Sequence, residues 1–364
     1  LRNWIAWPLA AVATMLLIIQ PSSFNYTSLA SGANVYFAPL GWGEVIDHAE
    51  SIDGGLTSVA IRQPPNASPV RTLLTNGKFQ GNDSVAGEMQ AQIGFSLAPL
   101  LHTSHRDRAL VIGYGTGVSS RVLHSAGFAQ LDVIDLSADI LRLANEHFAN
   151  VNDRVSEKTN VKTYVTDGRN FLLLHDKQYD VIGMEISSIW FAGAASLYNR
   201  EFYELAKKRL RPHGVLQQWM QLHHISTLDI LRIMGSVRAE FRYVWLYLIG
   251  GQGIIVATND PTSTPSQNNA SVLKQTASLK PLLNILGQDP DRILDMRLLE
   301  PEGTDAMLNS LGLPPSYWIS TDDNLALEYD TPKGNAFDTH KSFAGNKKFI
   351  AQFSQIPKTV AASR

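Results

Sequence analysis

The strongest chemical signal in the chain is a five-residue turn, Gly113-Tyr114-Gly115-Thr116-Gly117. Residues 109–112 before it are apolar and read as a buried strand, and helical character begins at Val118. Glycines at 113, 115 and 117 let the backbone turn sharply and approach a ligand with no Cβ in the way. The next apolar strand ends on Asp135, 18 residues beyond Gly117, where a carboxylate can accept two hydrogen bonds from a ribose diol. A G-x-G-x-G turn with no later helix-opening glycine suits S-adenosylmethionine (SAM) or its relatives slightly better than NAD.

Two further apolar strands also end in acids, Asp167 and Glu185. Ligands of open α/β sheets lie off the carboxyl ends of the strands. Asp135, Asp167 and Glu185 are therefore expected to converge on one crevice. Asp135 would hold the ribose, Asp167 an exocyclic amine of the base, and Glu185 would stand at the reacting group. A carboxylate there orients and deprotonates an amine nucleophile. Trp190 and Phe191 follow, as caps on an adenosyl group or as core. Gln221 and His223 share a face at the end of the fifth strand, either as acceptor contacts or, more simply, as structural hydrogen-bonding groups. His223 and His224 lack companion ligands at a recognisable spacing, so no metal site is expected.

The elements that must carry these residues follow from pattern and composition. The chain has 364 residues, 44% of them hydrophobic and 18% charged, which is globular rather than disordered. A net charge of −2 gives no broad nucleic-acid surface. The absence of cysteine excludes disulfides, thiolate metal sites and a cysteine nucleophile. Residues 4–19, WIAWPLAAVATMLLII, carry no charge, slightly short of the ~20 residues of a full span. They are read as a membrane anchor, the tail of a membrane domain or a signal-peptide core. This places the chain at the cytoplasmic membrane with its catalytic part facing the cytoplasm.

Residues 1–43 are thus a hydrophobic segment and an extended linker. Residues 44–82 form a small antiparallel β unit: strands at 56–62 and 70–75, the hairpin signal Asn76-Gly77, and a return strand. Residues 83–260 alternate strands and helices as a nucleoside-binding α/β domain. Residues 261–364 read as a helical and loop-rich extension.

The stretches TDGRNF, YDVIGMEISS and SLYNREFYELAKKRLRPHGVLQQW resemble the spermidine synthase family, the aminopropyltransferases. They look closest to the branch in which this domain follows a membrane segment. The likeness covers residues 44–260. LLTNGKFQGND, at 73–83, is similar to the family's L-x-L-D-G-x-x-Q hairpin, and YWISTDDNLALEYDTPKGN, at 317–335, to the carboxy-terminal signature of that branch. The fold implied is α/β: a class I SAM-methyltransferase-like (Rossmann-like) doubly wound sheet behind a small antiparallel β domain and the amino-terminal hydrophobic segment.

The resemblance implies decarboxylated SAM, or SAM, as co-substrate. An amine, with putrescine as the candidate, would attack the aminopropyl carbon and release methylthioadenosine. It assigns Gly113, Gly115 and Gly117 to the donor loop, Asp135 to the ribose, and Asp167 with Gly168 to adenine. Gln80 falls near the donor, and Glu185 stands in the place of the catalytic first Asp of the family's D-x-x-D-P gate loop.

Three departures bear on the amine. Thr116 stands where the family has the Asp that binds the donor's amine. Ser188 and Ile189 replace the second Asp and the Pro of the gate. Ala86-Gly87-Glu88 replaces Tyr-His-Glu. Thr116, Ser187, Ser188 and Gln221 are the candidate substrate contacts. Buried ammoniums need paired carboxylates, so the nucleoside half of the site is retained and the polyamine half is thinned. Three functions stay open: an aminopropyltransferase, a SAM-dependent methyltransferase or SAM cyclase/lyase, and a non-catalytic subunit of a membrane assembly. A homodimer or a membrane-complex subunit is the expected state.

Overall fold

The computed structural model describes residues 24–354 apart from 52–54, 86, 186–188 and 192, together with residues 7, 8, 11, 12, 14 and 15. Two sheets organise it. The first is a four-stranded antiparallel meander of β1 (Glu44–Glu50), β2 (Leu56–Arg62), β3 (Val70–Thr75) and β4 (Lys78–Asn82), in that spatial order. Thr75 pairs with Lys78 across a two-residue turn. Both turn residues, Asn76 and Gly77, take positive φ of 51° and 76°, the geometry that matches strand twist and favours Asn-Gly.

The second sheet has eight strands. They are β5 (Arg108–Ile112), β6 (Gln130–Asp135), β7 (Val161–Val165), β8 (Tyr179–Met184), β9 (Leu210–Met220), β10 (Tyr243–Ile249), β11 (Gln252–Thr258) and β12 (Arg297–Leu299). Their spatial order is β12-β10-β11-β9-β8-β5-β6-β7. Strands β5 to β9 are parallel, and β11 lies antiparallel between β9 and β10. The chain runs outward from β5 through β6 to β7, then returns to β8 on the other side of β5. That reversal opens a crevice at the carboxyl ends of β5 and β8.

Helices cover both faces: α1 (Glu88–Leu100), α2 (Val118–Ser125), α3 (Ala138–His147), α4 (Gly168–Leu174), α5 (Arg200–Arg209) and α6 (Thr227–Glu240). Strand alternation divides the core. Ala109 and Val111 of β5 join the cluster under α1, α2 and α3, while Leu110 and Ile112 join the one under α4, α5 and α6. A parallel strand buried on both faces reads as the unbroken apolar run seen in the sequence. Helix α1 is buried almost all round, as befits a helix enclosed within a core. The small sheet enters that cluster through Val59 and Leu73. Its other face packs Ala60 and Leu74 against Ala30, Trp42 and Val45.

Several expectations are corrected. From Phe24 on, the supposed extended linker contains two short helical turns, Tyr26–Leu29 and Ala33–Tyr36. Strand β9 begins at Leu210 and runs through Pro212, because its register with β8 jumps from Tyr179↔Leu210 to Val181↔Val215 and accommodates the extra residues. The carboxy-terminal segment is not only helix and loop: β12 pairs with β10 at the sheet edge, too short to leave an alternation signal. The membrane reading is overturned as well. No helix among the described residues is long and apolar enough to cross a membrane, and most of the apolar run at 4–19 lies outside them.

Candidate active site

The glycine turn closes β5 as expected. Gly113 donates its N–H to the Ile134 carbonyl at 2.8 Å and so ties the turn to β6. Gly117 precedes α2 with φ of 83°, and a Cβ there would lie 2.7 Å from the Tyr114 ring; only glycine fits. Gly115, at φ 52°, has no neighbour nearer than the Gln80 carbonyl at 3.7 Å from the ideal Cβ position. Tyr114 turns inward, its hydroxyl donating to Asn145 Oδ1 at 2.8 Å. The turn therefore presents backbone to a cavity of about 450 Å³, a volume within the range of small-molecule sites.

Of the residues expected at a site, Gln80, Gly113, Gly115, Thr116 and Glu185 line this cavity. Glu185 follows β8 directly, and its N–H donates to the Ile112 carbonyl at the end of β5 (3.0 Å). Gly117, Asp135, Asp167, Gly168 and Gln221 do not line it, so the single crevice walled by three carboxyls is revised. Asp135 is 8% exposed, and its carboxylate accepts N–H bonds from Tyr114 (2.9 Å) and Ser137 (3.0 Å). It holds the glycine turn in shape. Burial pushes its pKa up, and the surrounding backbone amides pull it back.

Asp167 caps α4 by accepting the Asn170 N–H at 2.8 Å, and Gly168 is buried in the first turn of that helix. Gln221 donates to the carbonyls of His223 (3.0 Å) and His224 (3.3 Å), and so braces the end of β9. Ser187 and Ser188 lie outside the described residues.

The sequence reading left out several residues that line the cavity. Tyr36, Leu40 and Trp42 arrive from the amino-terminal segment, and Asn335 and Thr339 from near the carboxyl end; His223, weighed in the sequence as an acceptor contact, and His224 line it from beyond β9. Only the aromatic-rich composition of residues 24–43 hinted at the first group. His224 sits at φ 52°, with Nε2 2.8 Å from Thr339 Oγ1. Glu88, noted in the sequence only as part of a departure from the family pattern, is a second carboxyl in the lining.

Burial pushes Glu185 up to about 8, and the Glu88 carboxyl adds to the rise. Glu88 is pushed up to about 7 by burial, moderated by the Gln92 amide. Gln92 accepts a hydrogen bond from the Thr116 hydroxyl and donates to Glu88 Oε1 at 3.1 Å. Thr116 is thereby engaged with a neutral amide. Burial also pulls His223 down to about 4, with neighbouring His224 contributing.

Three buried polar atoms on cavity-lining residues have no partner among the described residues: Glu185 Oε1, Trp190 Nε1 and Trp42 Nε1. Buried polar groups are normally satisfied, so these atoms suit a ligand with hydrogen-bonding edges set between aromatic walls. The walls include Trp42 stacked on Phe79, with ring centres 5.6 Å apart. Elsewhere, Asp322 answers Arg169 and accepts from Asn199 at 3.0 Å, a structural tie. Asp47, Glu146 and His147 meet at the seam of the small sheet and α3, where His147 Nε2 lies 2.7 Å from Asp47 Oδ2 and Arg142 pairs with Glu146.

Comparison with known proteins agrees with this geometry. The Spermine/spermidine synthase domain matches residues 93–263. Polyamine aminopropyltransferase 2 of Pseudomonas aeruginosa is 29% identical over 180 residues, covering 49% of this chain and 51% of that protein. The polyamine aminopropyltransferase of Oceanobacillus iheyensis is 31% identical over 204 residues, 51% of this chain and 38% of that one. The chain thus spans about half the length, or less, of these curated relatives.

Among solved structures, a spermidine synthase in complex with the transition-state analogue AdoDATO superposes with a TM-score of 0.54 at 14% identity, over 67% of this chain and 88% of that one. The spermidine synthase of Thermotoga maritima gives 0.52 at 14% identity, over 67% and 87%. Those two likenesses are of fold. The glycine turn, the acid following β8 and the matched domain lead to one conclusion: over residues 93–263 this chain is similar to the spermine/spermidine synthase domain.

Proposed function

We propose that the chain is an aminopropyltransferase-type enzyme. It binds decarboxylated SAM, or SAM, against the glycine turn and transfers the three-carbon arm to an amine. The observation that carries this reading is that Glu185 and the turn of Gly113 and Gly115 line one cavity. The amine nitrogen attacks the methylene bonded to the sulfonium sulfur. The new C–N bond forms as the C–S bond breaks, the sulfur leaves as neutral methylthioadenosine, and Glu185 takes the proton that the amine loses. Holding both reactants in line supplies most of the acceleration.

Asp135, with lone pairs left over from its two backbone bonds, and Asp167 with Gly168 lie outside the cavity lining and are kept only as candidate contacts to a ribose and an adenine that reach beyond it; Gln80, in the lining, would meet the donor. Thr116, Ser187, Ser188 and Gln221 are kept as candidate contacts to the amine-bearing parts. Putrescine is the first acceptor to test. The bond from the Thr116 hydroxyl to Gln92 favours a second reading, in which no carboxylate grips a donor amine and intact SAM serves for methyl transfer or internal cyclisation. Mass spectrometry after incubation with each donor, with and without putrescine, tests both. Methylthioadenosine with an aminopropylated amine supports the first; methylated product, or methylthioadenosine without acceptor, supports the second. Unchanged substrates in every arm would overturn enzyme action.

A further inference from the structure

Lys78 opens β4 directly after the Asn76-Gly77 turn, and its side chain is enclosed, 8% exposed. Its ammonium lies 4.2 Å from the centre of the Phe191 ring. Among the described residues no carboxylate pairs with it and no hydrogen bond holds it. An ammonium held mostly out of water is costly unless something else compensates, and a lone phenyl face compensates only in part. Burial alone pulls Lys78 down to about 8.

Lys78 and Phe191 do not themselves line the cavity, but their chain neighbours do. Phe79 and Gln80, the next residues along β4, line it, and so does Trp190, the neighbour of Phe191. The ammonium therefore stands where the hairpin meets Phe191, next in the chain to the cavity-lining Trp190. The acids in the cavity lining do not answer it. Glu88 is bonded to Gln92, and burial favours the neutral form of both Glu88 and Glu185. Thr116, also in the lining, offers a hydroxyl and no charge. The charge left over beside the cavity is positive, which repels a polyamine and suits a carboxylate.

We propose that Lys78 is the counter-ion for a carboxylate on a substrate of this cavity, carried either by the donor as intact SAM or by an amino-acid acceptor. The inference rests on the adenosyl reading of the cavity given above.

Two ligand pairs that differ by one carboxylate separate the sources: SAM against decarboxylated SAM, and ornithine against putrescine, the second pair in saturating methylthioadenosine. Calorimetric titration of the full chain is expected to favour the carboxylate member of at least one pair by tenfold or more. Lys78→Met should erase that preference, while Lys78→Arg should keep most of it. Loss confined to the SAM pair assigns the donor, and loss confined to the ornithine pair assigns the acceptor. No preference in wild type, or a preference untouched in Lys78→Met, overturns the proposal. Methylthioadenosine is the control: binding by wild type and by Lys78→Met leaves the adenosyl reading standing when the proposal fails, whereas no binding by wild type sinks both. The melting temperature of ligand-free Lys78→Met, expected at or above wild type because a buried charge is gone, shows that the variant folds.

Discussion

At the scale of single residues the proton chemistry falls on Glu185. Glu185→Gln is expected to lower methylthioadenosine formation at least about 100-fold, the low end of general-base contributions, while methylthioadenosine binds within about threefold of wild type. With a carboxyl raised to about 8, kcat/KM in wild type should climb with pH and level off above that value, with Glu88 coupled into the apparent titration. Stability runs the other way. The folded carboxyl keeps its proton longer than the unfolded one, whose value is 4.5. The stabilisation is therefore complete below 4.5 and is lost as pH rises through about 8. Melting curves should show Glu185→Gln more stable than wild type at pH ~9 and nearly equal at pH ~4, by that linkage.

The glycine turn offers a contrast. Gly117→Ala meets the Tyr114 ring and should cost about 1–3 kcal/mol of stability. Gly115→Ala, with open space before it, should cost less stability and lose more methylthioadenosine affinity. Equal effects of the two in thermal melts and titrations would count against a ligand lying over Gly115.

Elements matter by what they fasten. Strand β6 carries Asp132, buried, with Lys177 Nζ 2.8 Å away and the Tyr179 hydroxyl donating at 2.8 Å. These bonds join β6 to the start of β8, across the intervening β5, at the opposite end of the strand from Glu185. Asp132→Ala strands an ammonium and a buried hydroxyl, and is expected to cost about 2–4 kcal/mol in urea unfolding. Asp132→Asn, which keeps hydrogen-bonding capacity, should cost less. Most elements were legible in the sequence because their signals are local. The strands at 56–62 and 70–75 match in full, since alternation and flanking turns bound them. Strand β12 was not legible: three residues gain their identity from β10, not from their own pattern.

At the scale of the whole molecule, the cavity is assembled from the amino-terminal segment, the small sheet, the glycine turn and the carboxy-terminal region. A ligand that fills it binds the folded state alone and stabilises that state by mass action. Saturating methylthioadenosine, at about 100 times its Kd, should add about 2.7 kcal/mol, seen as a rise of several degrees in melting temperature. Gly115→Ala should blunt the rise, and no rise in wild type would speak against the nucleoside reading.

The sequence by itself determined the order of strands and helices, the glycine turn after β5, and the acids that end β6 and follow β7 and β8. Each of these is written in a run of neighbouring residues whose periodicity and backbone preference are intrinsic. Tertiary structure alone decided which acids face the cavity. The carboxylate of Asp135 curls back to the amides of Tyr114 and Ser137, and Glu88 joins Glu185 instead. It also brought Tyr36, Trp42, His224 and Thr339 to one wall, because contacts between residues far apart in the chain depend on how the sheets and their coverings close, which no local pattern records.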